Sequence, residues 1–265
     1  MKALILSDIH SNAEALRAIW EAESDCDVIY AAGDYVDYGP QPAEAVDWLT
    51  AHGARCVYGN HDQTVIQTWE RGLFRDTTDG AVLWAEDNCR RLDQPRMDFL
   101  KALPEHLYFE LDGARYLMQH RCGEGYATID SLEAFDAYWD AHAPASSGSG
   151  VSGGRTSPRR MIFGHTHRQV VQTFSADAQW LNPGSASYRR PDETSKDAFY
   201  MTIEDGEIHF RHVAYDRSPL CVEARSVRAR LHPAEWHVAE YFFCKAREDG
   251  PMERFNGPLP AHLLR

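Results

Sequence analysis

Four short apolar runs of this chain each stop at a small residue or a tyrosine-glycine pair and then deliver an acid, an amide or an imidazole. They end in Leu6-Ser7-Asp8-Ile9-His10, Ala31-Ala32-Gly33-Asp34, Tyr58-Gly59-Asn60-His61-Asp62 and Phe163-Gly164-His165-Thr166-His167. One apolar run closed by Gly-Asp is a common strand-to-turn junction. Four of them, all ending in oxygen or nitrogen donors, predict buried strands whose carboxyl ends converge on one crevice, where open α/β sheets keep their ligands. Asp34, closing the Val28 to Ala32 run, falls at the mouth of that crevice.

The intervening sequence supplies the connections. A helix is expected over Asn12 to Glu23, with Ser11 and Glu14 as a capping box and Ala13, Leu16, Ile19 and Trp20 as its apolar stripe. Returning to the Val28 strand, it makes a βαβ unit. Pro42 opens a second helix, Gly53 ends it, and Arg55 to Tyr58 forms a third strand. Helical patterns over Gln63 to Arg71, Asp79 to Leu92 and Met97 to Leu103 make residues 63–104 a helical insert covering one side of the crevice. Asp112-Gly113 and Asp205-Gly206, each between apolar runs, predict tight hairpins, the first of which delivers His120. Residues 143–158 are dominated by Ser and Gly and read as a flexible loop. The runs at 161–163, 169–174, 179–181, 199–204 and 207–213 suggest a second sheet packed on the first. From 216 to 265 the chain reads as a helical extension whose Trp236, Phe242 and Phe243 would suit a docked tail or a homo-oligomer contact.

All 265 residues are treated as a single domain. Lys and Arg number 27 against 40 Asp and Glu, a net charge of −13, which excludes a broad grip on duplex nucleic acid or an anionic membrane. Small phosphorylated substrates stay open, because divalent cations reverse the local field of a carboxylate-lined pocket. The six cysteines are scattered, with no Cys-x-x-Cys pair, so neither a zinc ribbon nor a disulfide framework is expected and a reduced cytoplasm suits them. Met1 to Leu6 meets an acid too soon for a signal peptide, and no later run would span a bilayer.

Asp8-x-His10, Gly33-Asp34-x-x-Asp37, Gly59-Asn60-His61-Asp62, the lone His120 and Gly164-His165-Thr166-His167 occur in one order along the chain. Together they resemble the calcineurin-like metallophosphoesterase superfamily. Tyr38-Gly39-Pro40 and Asn182-Pro183-Gly184-Ser185 are similar to its small prokaryotic branch of phosphoesterases and phosphodiesterases, and the likeness covers roughly residues 1–215. The resemblance implies a four-layer αββα sandwich of two mixed sheets. It also implies one metal ion held by Asp8, His10, Asp34 and His167, and a second held by Asp34, Asn60, His120 and His165, with Asp34 bridging. The chain departs from the pattern where Arg121, not glycine, follows the lone histidine; His106 and His142 are the alternatives to His120 but lack a strand end behind them.

Such a site hydrolyses a phosphomonoester or phosphodiester, since two cations neutralise the phosphoryl oxygens and make hydroxide at neutral pH. Imidazole, carboxylate and amide donors without thiolate suit manganese or iron first, with nickel, cobalt and zinc as further choices. His61, beside ligand Asn60, is the expected general acid or oxyanion partner, with Asp62 or Asp37 holding its other nitrogen. Arg121, Arg189 and Arg190 are candidates for binding the phosphate of a small or nucleotide-like substrate, and Cys122 is read as a packing residue. Two other readings compete with a small-molecule hydrolase. One is a phosphoprotein phosphatase, and the other is a scaffold of the same fold, like the retromer subunit whose metal ligands are altered.

Overall fold

The computed structural model describes residues 1–144, 157–187, 195–245, 252–253 and 255–258. Its strands are β1 (Lys2–Leu6), β2 (Val28–Ala31), β3 (Arg55–Cys56), β4 (His106–Leu111), β5 (Ala114–Gln119), β6 (Arg159–Ile162), β7 (Gln169–Ser175), β8 (Ala178–Pro183), β9 (Ala198–Glu204) and β10 (Glu207–Val213). Its helices are α1 (Ala13–Glu23), α2 (Pro42–Ala51), α3 (Asn60–Arg71), α4 (Trp84–Arg91), α5 (Gln94–Ala102), α6 (Leu132–His142), α7 (Ser218–Val227) and α8 (Pro233–Ala239). They form two mixed sheets, ordered β10-β9-β1-β2-β3 and β4-β5-β6-β8-β7, with helices outside.

Strand β1 shows why the layers stack this way. Ala3 and Ile5 point between the sheets, toward Tyr30, Met118, Ile162 and Leu181, while Leu4 and Leu6 pack on Leu16 and Ile19 of α1 and Val46 and Leu49 of α2. A strand buried on both faces reads as a continuous apolar run without alternation. Each such Leu or Ile removed from water contributes ~1.5–3 kcal/mol, which fixes the strand end where the ligands begin. Phe135 and Trp139 of α6 cover the far side of the second sheet against Leu117, Met161, Phe163 and Trp180.

Several expectations change at this level. Strands β9 and β10 return to the first sheet, β9 lying antiparallel to β1 with Ile5 opposite Met201, because strand partners are chosen by tertiary packing and not by sequence order. The N-cap of α1 is Asn12, whose Oδ1 accepts from Ala15 N at 3.0 Å; Ser11 instead donates its hydroxyl to Asn88 Oδ1. Helix α3 starts at Asn60, so Asn60 and His61 occupy a first helical turn. In the insert, Val82 pairs with Leu231 in place of the expected helix start. The loop expected at 143–158 falls mostly outside the described residues.

Within the C-terminal extension, residues 218–244 are mainly helical, the last described helical segment being a π-helical turn over Glu240–Cys244. Its Trp236, Phe242 and Phe243 are buried in a cluster with Val82 and Trp84, so docking on the chain itself accounts for them. Cys221 and Cys244 are joined by a disulfide, against the expectation of thiols only; they lie 23 positions apart, and α7 and the π turn bring them together. Among the described residues no helix is long and apolar enough to cross a membrane.

Candidate metal centre

The site is built by stapling one strand-end loop to the next. Backbone amides of Ile9 and His10 both donate to Asp34 O, at 2.8 and 3.0 Å, and Ser11 N donates to Tyr35 O at 2.8 Å. The Asn-Pro-Gly-Ser stretch supports Asp8 from behind: Ser185 Oγ and Ser187 N donate to Asp8 O, and Asn182 Nδ2 donates to Gly164 O. Asp8, His10, Asp34, Asp37, Tyr38, His165 and His167 all hold positive φ, between 49° and 71°, a region that side chains disfavour and that surrounding structure must impose. Two glycines are set by close approach. A Cβ on Gly59 would lie 2.1 Å from Asp34 Oδ1, and one on Gly164 would lie 1.9 Å from Ser7 Oγ.

Two adjoining donor groups result. In the first, His167 Nε2 lies 3.1 Å from Asp8 Oδ1 and 3.4 Å from His10 Nε2. In the second, His120 Nε2 lies 3.0 Å from Asp34 Oδ2, and His165 completes the cluster. The groups touch, since His165 N donates to the Asp8 carboxylate and the His61 ring stands 5.1 Å from that of His10. Ring partners fix which nitrogen faces the site. His120 Nδ1 is 2.7 Å from Ala32 O and His165 Nε2 is 2.8 Å from Gly125 O; a carbonyl only accepts, so those nitrogens carry the protons and the opposite ones present lone pairs.

Whether a cation fits can be judged from atoms that lack other partners. Asn60 Oδ1 is buried and makes no hydrogen bond, and Asp34 Oδ2 and His120 Nε2, 3.0 Å apart, are buried with only each other as partners. Burying polar atoms with so few partners is costly, and the three together form a donor set that a cation would satisfy. The electrostatics agree. Burial alone would raise the Asp34 carboxyl, but the imidazoles of His120, His61 and His10 outweigh it and hold it well below the ordinary range. Burial opposes charge on His120, yet Asp34 carries its pKa up to about 9. His165, half-buried and facing the His120 imidazole, is lowered by that desolvation and by the neighbouring charge.

The structure separates the two acids proposed beside His61. Asp37 Oδ2 accepts from His61 Nδ1 at 2.8 Å, whereas Asp62 does not reach that ring. Asp62 is buried and accepts from the backbone amides of Asp34, Tyr35, Val36 and Gly59, so its carboxylate is a structural knot between two loops and a catalytic assignment does not suit it. Arg121 is half-buried beside Asn60 and His120, with Glu124 3.9 Å away. Arg189 and Arg190 lie outside the described residues. The thiol of Cys122 is raised by burial and donates to Ala127 O, as befits a packing residue. Two neighbours have no role in the sequence reading, and Asn88 carries no signal there at all. Asn88 accepts from Ser11 Oγ and Asp37 N and donates to Gly39 O; the Tyr38 ring lies 4.5 Å from that of His61.

A sequence model of the calcineurin-like phosphoesterase superfamily domain matches residues 1–206, which include all of these loops. The chain belongs to that superfamily. The calcineurin-like fold is seen again in the crystal structure of a metallophosphoesterase from Sphaerobacter thermophilus, which superposes with a TM-score of 0.66 at 21% identity, covering 90% of this chain and 98% of that one. A protein of Methanocaldococcus jannaschii described as uncharacterized is 30% identical over 118 residues, 44% of this chain and about half (47%) of that relative. Serine/threonine-protein phosphatase 2 of Escherichia coli is 23% identical over 194 residues, 70% of this chain and 88% of that protein. Membership of that superfamily and the two clustered donor groups support a metal-dependent phosphoesterase.

Proposed function

We propose that this chain hydrolyses a small phosphomonoester or phosphodiester at a dinuclear centre. One observation carries the reading: Asp34 Oδ2, His120 Nε2 and the unpaired Asn60 Oδ1 are buried donor atoms with no partner outside their own group, beside the Asp8, His10 and His167 group. Asp8, His10 and His167 would hold one cation, Asn60, His120 and His165 the other, and Asp34 both. Bound there, two divalent cations would neutralise the phosphoryl oxygens and supply a nucleophile from water at neutral pH. Manganese or iron fits the thiolate-free donor set best.

The chain's own residues do the rest. His61 Nδ1 is fixed on Asp37, so Nε2 is the atom that hands a proton to the departing alkoxide. Burial works against charge on His61, but Asp34 and Asp37 outweigh it and raise its pKa, which favours the proton-carrying form. Arg121 contacts a non-bridging phosphate oxygen from the rim.

Phosphate release from p-nitrophenyl phosphate and its bis ester, with Mn²⁺ or Fe²⁺ and after chelation, tests the reading. Turnover that needs added metal is expected; a metal-loaded chain releasing nothing would instead indicate a scaffold. The likeness to the Escherichia coli phosphatase favours a second reading, phosphoprotein hydrolysis. Phosphopeptides turned over better than any small ester would move the conclusion there.

A further inference from the structure

Beside the second donor group lies a cavity of about 290 Å³ whose wall includes Asn60 and His120. Much of the remaining lining is polar and joined in a chain of hydrogen bonds. The Tyr138 hydroxyl donates to Gln119 Oε1, and Gln119 Nε2 donates to Glu105 Oε1 at 3.2 Å. Tyr58 and Gln63 line the same cavity as Glu105. Gln119 is buried with both ends of its amide occupied, so it serves to aim the exposed Glu105 carboxylate, which keeps acceptor capacity of its own.

This lining discriminates between kinds of alcohol. A second phosphate would meet Glu105 as well as Arg121, so the cavity offers no net attraction for one. An aliphatic alcohol would strip water from Glu105, Tyr58 and Gln63 and return no hydrogen bond. Adjacent hydroxyls suit the set, because a carboxylate accepts from two hydroxyls at once, as an acidic residue does on a ribose diol.

We propose that this cavity receives the hydroxyl-rich half of the ester, with Glu105 accepting from a vicinal diol, so that the substrate is the phosphate ester of a polyol. The proposal rests on the phosphoesterase reading, since the phosphate must sit at the donor groups for the alcohol to enter the cavity. Glycerol and pentose esters share the required chemistry.

Two matched pairs distinguish these sources: glycerol 1-phosphate with n-propyl phosphate, and ribose 5-phosphate with 2-deoxyribose 5-phosphate. For each pair the ratio of kcat/KM is measured in the wild-type chain and in Glu105→Gln, at one metal concentration. A ratio of about 10 to 100 in favour of the hydroxyl-bearing ester is expected in at least one pair, falling toward one in Glu105→Gln. The pair that shows it names the source. Because both esters of a pair meet the same enzyme, loss of folded protein in the variant cancels. Wild-type ratios near one in both pairs, or a preference that Glu105→Gln retains, would overturn the proposal while leaving the phosphoesterase reading intact. No hydrolysis of any ester would overturn both.

Discussion

The two ends of the strands use the same backbone conformation for different purposes. Ten non-glycine residues among those described have positive φ, and eight lie where strands run out into the donor loops. The other two, Asp112 and Asp205, occupy hairpin tips at the opposite end, each followed by a positive-φ glycine. There the left-handed turn matches the twist of a hairpin, and aspartate is among the side chains that tolerate it. Its neighbours add support: Gly206 N donates to Asp112 Oδ2 at 3.1 Å, and the Met1 amine pairs with Asp205 at 2.7 Å. At the donor end the same φ falls on histidines and a tyrosine, no tight hairpin is closed, and buried polar atoms are left without partners outside their own group. One end serves the fold, and the other spends part of the fold's stability on aiming ligands.

The largest break in this comparison should come at Asp34. Asp34→Asn is expected to cut turnover by more than the ~10- to 100-fold typical of residues that only support a ligand, with melting temperature little changed. Turnover near normal would remove Asp34 from the centre.

Next is His61. His61→Gln should keep metal content near wild type and lose ~10²- to 10⁴-fold in kcat on an alkyl phosphate, but clearly less on p-nitrophenyl phosphate, whose leaving group needs no proton. Equal losses would point to charge stabilisation at the phosphoryl oxygens.

Asp37 and Asp62 sharpen the contrast within the donor end. Asp37→Asn should lower activity about 10- to 100-fold at little changed stability, because Oδ2 orients His61 while Oδ1, which accepts from Tyr38 N, is kept as the amide oxygen. Asp62→Ala should unfold at lower temperature, by about 3 kcal/mol or more, because four backbone amides lose their acceptor. Urea titration of both variants decides; similar stabilities would mean the knot at Asp62 is not structural.

This pair also marks where the sequence stops being legible. The strand-end donors could be read directly, because an apolar run says where a strand ends and the next residues declare their chemistry. Asp62 was read by its adjacency to His61, but the first turn of α3 points neighbouring side chains in different directions, and Asp62 turns back to the loop amides. Asn88 sits in α4 with no motif around it, and only the folded chain brings it to Asp37 N at 2.8 Å. The Asp-Gly hairpins were local and visible; the sheet that β9 joins, and the Cys221–Cys244 pair, depend on long-range packing that no local pattern encodes.

The smallest effect belongs to the hairpin end. Asp112→Ala puts a side chain without its own hydrogen bonds at φ 49° and should cost about 1–2 kcal/mol in chemical denaturation, with kcat on p-nitrophenyl phosphate unchanged. A change in kcat there would blur the division between the two ends.

Metal stoichiometry tests that division most directly. The chain, stripped with chelator and dialysed against Mn²⁺, is analysed for bound ion by mass spectrometry of the metal, alongside Asp34→Asn. Two ions per wild-type chain, and weakened occupancy in Asp34→Asn, are the results this structure predicts from its two adjoining donor groups and the buried Asp34, Asn60 and His120 atoms. A wild-type chain that retains no ion, or an Asp34→Asn chain that still holds two tightly, would contradict it.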